Sequence, residues 1–195
     1  MPGFVIGNGL SRKSVDLSQL KNNGTTYGCN ALYREITPDV LVACDPLIAK
    51  EIEKSGYALK HKFYTRNPLP DLGALQLGET YQRISSGIRL GYSSGPNALH
   101  LAANNHTMIY ILGFDYGSTG NTFNNCYADT EFYKKSLDEP TTGDNWLIQT
   151  LEIIKSNPTV SFVRVTNDKS ASFPALLMLD NFSHLPIDMF QEKFQ

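Results

Sequence analysis

The sequence lacks a long apolar run and a block of like charge. No stretch approaches the roughly 18 consecutive apolar residues that a membrane-spanning helix needs, and no signal-peptide pattern opens the chain. The 17 basic and 19 acidic residues give a formal net charge of -2, so the broad positive surface of a nucleic-acid-binding protein is absent. We therefore expect a soluble, cytoplasmic protein without a membrane span or an extended nucleic-acid surface.

Cysteine is sparse, and no paired carboxylates of the DxD type occur. Cys29, Cys44 and Cys126 form no CxxC pair and have no metal-ligand spacing. Because Cys29 and Cys44 end predicted buried strands, we interpret them as small core residues of a protein from a reducing compartment. The sequence therefore predicts no metal site and no resident cofactor.

Strand-like and helix-like segments alternate along most of the chain. At 195 residues the chain is long enough for one well-buried domain. The alternation predicts an α/β fold, namely a single Rossmann-like doubly wound domain over residues 1–169 with a mainly parallel sheet. Residues 57–92 form an insertion, a lid or a plain connecting segment. Residues 170–195 form a loop-rich lid or tail, whose short helix at 187–194 could dock on the domain or on a second copy in a homodimer.

The first strand and the turn after it predict a phosphate site. The apolar residues Phe4 to Ile6 precede a turn between two glycines, which let the backbone approach a ligand closely. We expect free N–H groups at the start of a following helix to attract an anion, with two cationic side chains nearby. The residues of this predicted site are Gly7, Asn8, Gly9, Ser11, Arg12 and Lys13. An ordinary strand-to-helix turn is the alternative interpretation.

This turn departs from the dinucleotide-binding fingerprint. The third glycine of that fingerprint is replaced by Arg12, and the second strand ends in Asn30 rather than in an acidic residue. The sequence therefore disfavours NAD or FAD and favours another nucleotide.

Polar side chains follow several predicted strands. Asn8, Asn30 and Asp45 end the first three strands, and Asp115 follows the buried strand at 108–113. Because the carboxyl ends of parallel strands lie on one edge of a sheet, we expect these side chains to converge there. A second loop before a helix, Ser93-Ser94-Gly95, would add an anion site at the same edge. The carboxylate of Asp115 could bind a hydroxyl, act as a base, or only cap a loop.

Five of these motifs occur in an order that we know from one protein family. They are Gly7-Asn8-Gly9-Leu10-Ser11, Cys29-Asn30, Asp45-Pro46, Ser93-Ser94-Gly95 and Leu112-Gly113-Phe114-Asp115. Over about its first 120 residues the chain resembles the bacterial sialyltransferases that use CMP-sialic acid. It also resembles the related group that includes the archaeal pterin diphosphokinase-like proteins. Small proteins of this kind are frequent among marine tailed phages. If a phage encodes this protein, we expect it to act in the host cytoplasm.

The resemblance implies roles for particular residues. Asn8, Asn30 and the loop at Ser93-Ser94-Gly95 would hold a pyrimidine nucleotide, and Asp115 would lie close to the transferred group. In the family, tyrosines hold the departing phosphate and a downstream histidine is the base. Tyr127, Tyr133 and His184 are the candidates for these roles here. The chain departs from the pattern at Leu10, where proline is usual, and at Asp45, where asparagine is usual.

Three functions are compatible with these residues. The first is a metal-independent, glycosyltransferase-like enzyme that takes a nucleotide-activated sugar as substrate and an acceptor of unknown identity. The second is an ATP- and Mg²⁺-dependent diphosphokinase-like transferase in which Asp45 and Asp115 would bind the Mg²⁺ ion. The third is a nucleotide-binding or interaction protein that has lost catalysis.

Overall fold

The computed structural model of this chain describes residues 1–83, 89–117, 122–167 and 173–194. Its strands are β1 (Gly3–Ile6), β2 (Thr25–Cys29), β3 (Val40–Ala43), β4 (Phe63–Thr65), β5 (Leu75–Gln76), β6 (Tyr81–Arg83), β7 (Arg89–Gly91), β8 (Met108–Leu112), β9 (Ser161–Val165) and β10 (Phe182–Leu185). Its α-helices are α1 (Pro46–Lys54), α2 (Ser94–Ala103), α3 (Asp144–Ser156), α4 (Pro174–Leu177) and α5 (Ile187–Phe194). Short 3-10 helices cover Leu10–Arg12, Leu17–Asn22, Asn30–Arg34 and Tyr57–Leu59.

Eight of the described strands form one all-parallel sheet. Their order is β10-β9-β8-β1-β2-β3-β4-β5, and β6 and β7 form a separate antiparallel hairpin. The chain first builds the sheet outward from β1 to β5 and later outward in the other direction from β8 to β10. The order therefore reverses between β1 and β8, the usual place of a ligand crevice in a doubly wound sheet. The predicted Rossmann-like α/β fold is confirmed.

Alternating side chains of the central strands supply the core on both faces of the sheet. Phe4 and Ile6 of β1 belong to a cluster that includes the buried side chains of α1 and α5. Val5, between them, belongs to the cluster on the other face, which includes those of α2 and α3. Because both faces are covered, strands such as Val40–Ala43 are apolar at every position.

Two segments have more regular structure than the sequence predicted. Within residues 57–92, β4 and β5 extend the main sheet, so at least this part connects and widens the domain. Residues 84–88 of the predicted lid lie outside the described residues, as does the predicted boundary near residue 170. The tail contributes β10, which pairs in parallel with β9 at the edge of the sheet.

The last helix packs on its own domain. The ring of Phe190 lies 6.1 Å from that of Phe4 and 5.6 Å from that of Tyr110. Phe194 lies 5.1 Å and 4.9 Å from the same two rings. Phe190 is fully buried. Of the two docking places predicted for this helix, the structure therefore shows the domain itself.

Among the helices within the described ranges, none has the length and apolar character needed to cross a membrane.

Candidate functional site

A cavity of about 370 Å³ opens at the carboxyl edge of the sheet. It lies at the ends of β1, β2, β3, β4 and β8, beside the N-terminus of α2. Its volume is within the range of about 300–1,000 Å³ that is usual for small-molecule sites. The predicted site residues that line it are Gly7, Asn8, Gly9, Asn30, Asp45, Ser93, Ser94, Gly95 and Asp115. Ser11, Arg12, Lys13, Tyr127, Tyr133 and His184 are not part of its wall.

The strand order arranges the polar residues in a row. Arg66 follows β4, Asp45 follows β3, Asn30 follows β2, Asn8 follows β1 and Asp115 follows β8. Neighbouring strands are about 4.8 Å apart, so the row from β4 to β8 spans roughly 19 Å. A ligand lying along this edge could therefore contact groups of different charge at its two ends.

Groups of the chain itself accept the N–H groups of the turn that was predicted to bind phosphate. Both oxygens of Asp115 accept hydrogen bonds from Ser11, one from the hydroxyl and the other from the backbone N–H at 3.0 Å. The N–H of Leu10 donates to Asn124 Oδ1 at 2.8 Å, and that of Gly9 donates to the carbonyl of Gly113 at 2.9 Å. The helix after the turn is only the 3-10 turn Leu10–Arg12. The N–H groups of Gly9, Leu10 and Ser11 therefore have acceptors within the chain, and Ser11 binds a carboxylate where a phosphate was expected.

Glycine makes this close approach sterically feasible. A Cβ atom on Gly9 would meet the carboxyl group of Asp115 and lie 2.7 Å from the Gly113 carbonyl oxygen. Gly113 has a φ of +64°, and a Cβ atom there would lie 2.8 Å from the Gly7 carbonyl oxygen. The loops after β1 and β8 can therefore pack together only because both positions lack a side chain.

The buried side chain of Arg12 stabilises the turn after β1 through hydrogen bonds. This side chain is only 2% exposed, and its Nε donates to the Gly7 carbonyl at 2.7 Å. Both terminal nitrogens donate to the Glu35 carboxylate, at 3.2 and 3.0 Å, and Nη2 also donates to the Tyr127 hydroxyl at 3.0 Å. Burial raises the pKa of Glu35, but the hydrogen bonds and charge of Arg12 outweigh it and hold this pKa below its ordinary value. Lys13, the other predicted cation, is exposed.

The two predicted tyrosines also make internal hydrogen bonds. The hydroxyl of Tyr127 donates to Glu35 Oε2 at 2.9 Å, and that of Tyr133 accepts from the N–H of Ala31 at 3.3 Å. Burial raises the pKa of both tyrosines above the ordinary value, so both hydroxyls stay protonated. They support the loops after β1 and β2 rather than reaching into the cavity.

His184 lies in β10, on the outermost strand of the sheet. The sheet order separates this strand from β8 by β9. Burial, followed by the nearby charge of Arg164, lowers the pKa of His184. Sequence reasoning had placed this histidine in a loop-like tail with the possible role of a base, and the strand holds it away from the cavity.

Two asparagines in the cavity wall have buried amide oxygens without a hydrogen-bond partner among the described residues. These atoms are Oδ1 of Asn8, a residue that is only 9% exposed, and Oδ1 of Asn30. Asn30 also has a φ of +52°, in the left-handed region that asparagine tolerates better than most residues. Buried polar atoms normally have partners. The hydrogen bonds that these residues lack indicate a ligand or ordered water at this wall.

The start of α2 supplies the anion site that remains open. Ser93 precedes the helix, and no side-chain hydrogen bond from this cap residue closes its N-terminus. The Ser93 N–H donates to Gln149 Oε1 at 2.8 Å, and Ser94 Oγ accepts the N–H of Cys44 at 2.8 Å. These bonds fix the loop between α3 and the end of β3. The first helical N–H groups, on Ser94 and Gly95, then lie at the cavity with the positive end of the helix dipole.

Arg66 and Trp146 line the cavity, and sequence reasoning missed both as site residues. Arg66 donates from Nη2 to the Tyr92 carbonyl, next to the loop at Ser93. The rule that strand ends converge would have found it, because it follows β4 directly. Trp146 is an apolar residue of α3, and it packs only partly into the core. Its role at the cavity edge has no sequence signal.

Asp45 both caps the N-terminus of α1 and lines the cavity. Its Oδ1 accepts the N–H groups of Leu47 at 2.9 Å and Ile48 at 3.5 Å, so it caps the N-terminus of α1. In the described part of the chain, no cluster of three or more His, Cys, Asp or Glu side chains is arranged to hold a metal ion.

No family model, curated protein or solved structure matches this chain.

Proposed function

We propose that the protein is a metal-independent, glycosyltransferase-like enzyme that binds a nucleotide-activated sugar in the edge cavity. It would transfer the glycosyl group to a hydroxyl of an acceptor. The observation that carries the proposal is the pair of partnerless amide oxygens, on Asn8 and Asn30, in a cavity at the reversal point of the sheet. The order of motifs shared with the sialyltransferases supports the choice of donor.

The phosphate would bind at the start of α2. The N–H groups of Ser94 and Gly95 and the helix dipole favour an anion there, and Arg66 adds a full positive charge at the cavity wall. The amides of Asn8 and Asn30 would hydrogen-bond the nucleoside. In this arrangement Arg66 takes the part that the sequence suggested for Arg12 and Lys13.

Asp115 would act as the base of the transfer. The acceptor oxygen forms a bond to the anomeric carbon of the donor, and the bond from that carbon to the phosphate oxygen breaks. The phosphate leaves with the electron pair, and the acceptor proton passes to the Asp115 carboxylate. Ser11 occupies one acceptor position on each oxygen of this carboxylate, and further lone pairs remain for the acceptor hydroxyl.

A thermal-shift screen against CMP, CDP, UDP, GDP, ATP with Mg²⁺, and NAD tests the binding step. We expect a pyrimidine nucleotide to raise the unfolding midpoint by linkage. Arg66→Met should abolish this rise, whereas the matched removal of an exposed charge in Lys54→Met should leave it. A rise with ATP and Mg²⁺ alone would instead favour the diphosphokinase-like reaction, although Asp45 and Asp115 follow β3 and β8, which β1 and β2 separate in the sheet. No rise with any nucleotide would refute the proposal.

A non-enzymatic nucleotide-binding protein is the second candidate. It is favoured by one observation, that Tyr127, Tyr133 and His184 all lie outside the cavity wall. Incubation with the nucleotide sugar that binds best, followed by chromatography of the products, separates the two. Release of nucleotide that Asp115→Asn reduces at least tenfold supports the enzyme. Tight binding with no release over many hours supports the second candidate.

A further inference from the structure

The two ends of the cavity differ in chemistry. At the β3 and β4 end the wall carries the charged side chains of Asp45 and Arg66. At the β8 end the wall carries Phe114 and Asp115, and Trp146 of α3 also lines the cavity. The residue before α3, Gly143, packs against the segment that follows β8, at Tyr116 and Gly117. The start of α2 lies between these ends, because Ser94 binds the N–H of Cys44 after β3 and a Cβ atom on Gly95 would lie 3.3 Å from the Phe114 ring after β8. A phosphate bound there would therefore have the aromatic end on one side and the charged end on the other.

The helix that carries Trp146 is attached to the loop before α2. Trp146 lies in the first turn of α3, where its carbonyl accepts the Thr150 hydroxyl at 2.8 Å. One turn further on, Gln149 binds the N–H of Ser93, the residue that precedes α2. The helix that carries Trp146 is therefore attached to the residue that precedes the proposed phosphate position. Part of the indole packs on the core and the rest faces the cavity.

Hydrogen-bonding groups surround this aromatic end. Asn125 uses Oδ1 to accept the N–H of Tyr127 at 2.9 Å, which leaves its amide nitrogen as a donor at the cavity wall. The Asp115 carboxylate supplies acceptors. A pyranose ring has a face of C–H groups and a rim of hydroxyls. The electron-rich face of an aromatic ring attracts such C–H groups, and carboxylate and amide groups match the hydroxyls.

We propose that Trp146, Phe114, Asp115 and Asn125 form the subsite for the sugar ring of the donor, with Trp146 as its platform. This inference rests on the proposed function, because it places the sugar next to the phosphate at the start of α2. It also separates the roles of the two ends, since the nucleoside would then lie along Asn8 and Asn30 and extend towards Asp45. The sugar would lie beside Asp115, where the transfer needs it.

Trp146 is the single tryptophan of the chain, so its fluorescence reports on this end of the cavity alone. The probes are matched pairs: CMP and CMP-N-acetylneuraminic acid, UDP and UDP-glucose, and GDP and GDP-mannose. In the pair that binds, we expect the nucleotide sugar to change the emission saturably and the parent nucleotide to change it much less. This measurement uses the unaltered protein, so it does not depend on the folding of any variant.

Calorimetric titration of variants then tests whether Trp146 contacts the sugar. Trp146→Ala should weaken binding of the nucleotide sugar about tenfold and leave the parent nucleotide unchanged. Trp146→Phe, which keeps a ring, should retain most of the affinity. Ile148→Ala, on the same helix and 41% exposed, is the control and should match the unaltered protein.

The possible failures point to different errors. If a nucleotide binds but its sugar adds no affinity and no change in emission that depends on Trp146, the subsite is refuted and the proposed function stands. If Trp146→Ala weakens the parent nucleotide as well, the ring contacts the base and the subsite is again refuted. If no probe binds at all, the proposed function fails, and the subsite fails with it.

Discussion

Replacing Arg12 with methionine should destabilise the fold by about 1–4 kcal/mol. Methionine keeps an unbranched apolar chain of similar length and removes the guanidinium. Three partners then lose a donor: the Gly7 carbonyl, the Glu35 carboxylate and the Tyr127 hydroxyl. They differ in how easily water can replace the lost bond, and this difference sets the magnitude.

The Gly7 carbonyl carries most of the cost. It belongs to a buried residue between the β1 and β8 loops, and a buried acceptor left without a donor costs about 1–3 kcal/mol. The Glu35 side chain is 43% exposed, so water solvates it again and its ion pair contributes at most about 1 kcal/mol. Tyr127 still donates to Glu35 and loses little.

Urea unfolding of both Arg12→Met and Lys13→Met measures the effect. With a slope of about 2 kcal/mol per molar, the midpoint of Arg12→Met should fall by roughly 0.5–2 M. Lys13 carries the same charge on an exposed side chain, so its midpoint should move by less than about 0.3 M. Equal midpoints for the two variants would show that the buried hydrogen bonds of Arg12 do not stabilise the turn.

Two further predictions concern steric fit and protonation. Gly9→Ala should destabilise by more than about 2 kcal/mol, because its Cβ would meet Asp115, whereas Gly78→Ala, with no atom within 4 Å, should stay within about 0.5 kcal/mol in the same urea assay. A stable Gly9→Ala protein would show that the loops after β1 and β8 can separate. Burial, followed by the charge of Arg164, lowers the pKa of His184, and burial lowers that of His100. The folded state therefore favours the neutral forms, so stability should be full above the unfolded pKa of about 6.5 and fall as the pH drops towards 5. His184→Asn should reduce this fall, and a midpoint that rises on acidification would contradict the argument.

Local sequence rules sufficed for the strands around the cavity. The predicted strands that end at Asn30 and Asp45 correspond to β2 and β3, and β3 is apolar and buried at every position. Burial on both faces leaves one pattern, continuous apolar residues, and that pattern is easy to recognise. The convergence of Asn8, Asn30, Asp45 and Asp115 at one edge followed from strand direction alone.

Contacts distant in sequence explain why the details of the β1 turn were not predictable. The sequence shows two glycines, a serine and two cations in a row, which is typical of a phosphate-binding turn. It does not show that Asp115, 104 positions after Ser11, would bind that serine. Nor does it show that Glu35 and Tyr127 would take up the charge of Arg12. Only the assembled sheet brings these residues together.

The tail illustrates the same limit. Residues 182–185 are a short polar and apolar mixture with no clear alternation, and they become β10 because β9 offers an unpaired edge. The strand then fixes His184 in the sheet, away from the cavity. A base must reach the cavity, and pairing with β9 holds this residue at the edge of the sheet instead.

Asp115 connects the closed turn to the proposed chemistry. The Asp115 carboxylate binds Ser11, and the N–H groups of Gly9 and Leu10 also have acceptors within the chain, so a second anion at that position would meet a like charge. An anionic ligand is therefore favoured at the start of α2, next to Arg66, where N–H groups and positive charge remain. Placing the phosphate there puts Asp115 beside the group attached to it, which is the position that a base for the attacking hydroxyl requires. The contact that rules out the first predicted phosphate site thus supports the catalytic role proposed for the same carboxylate.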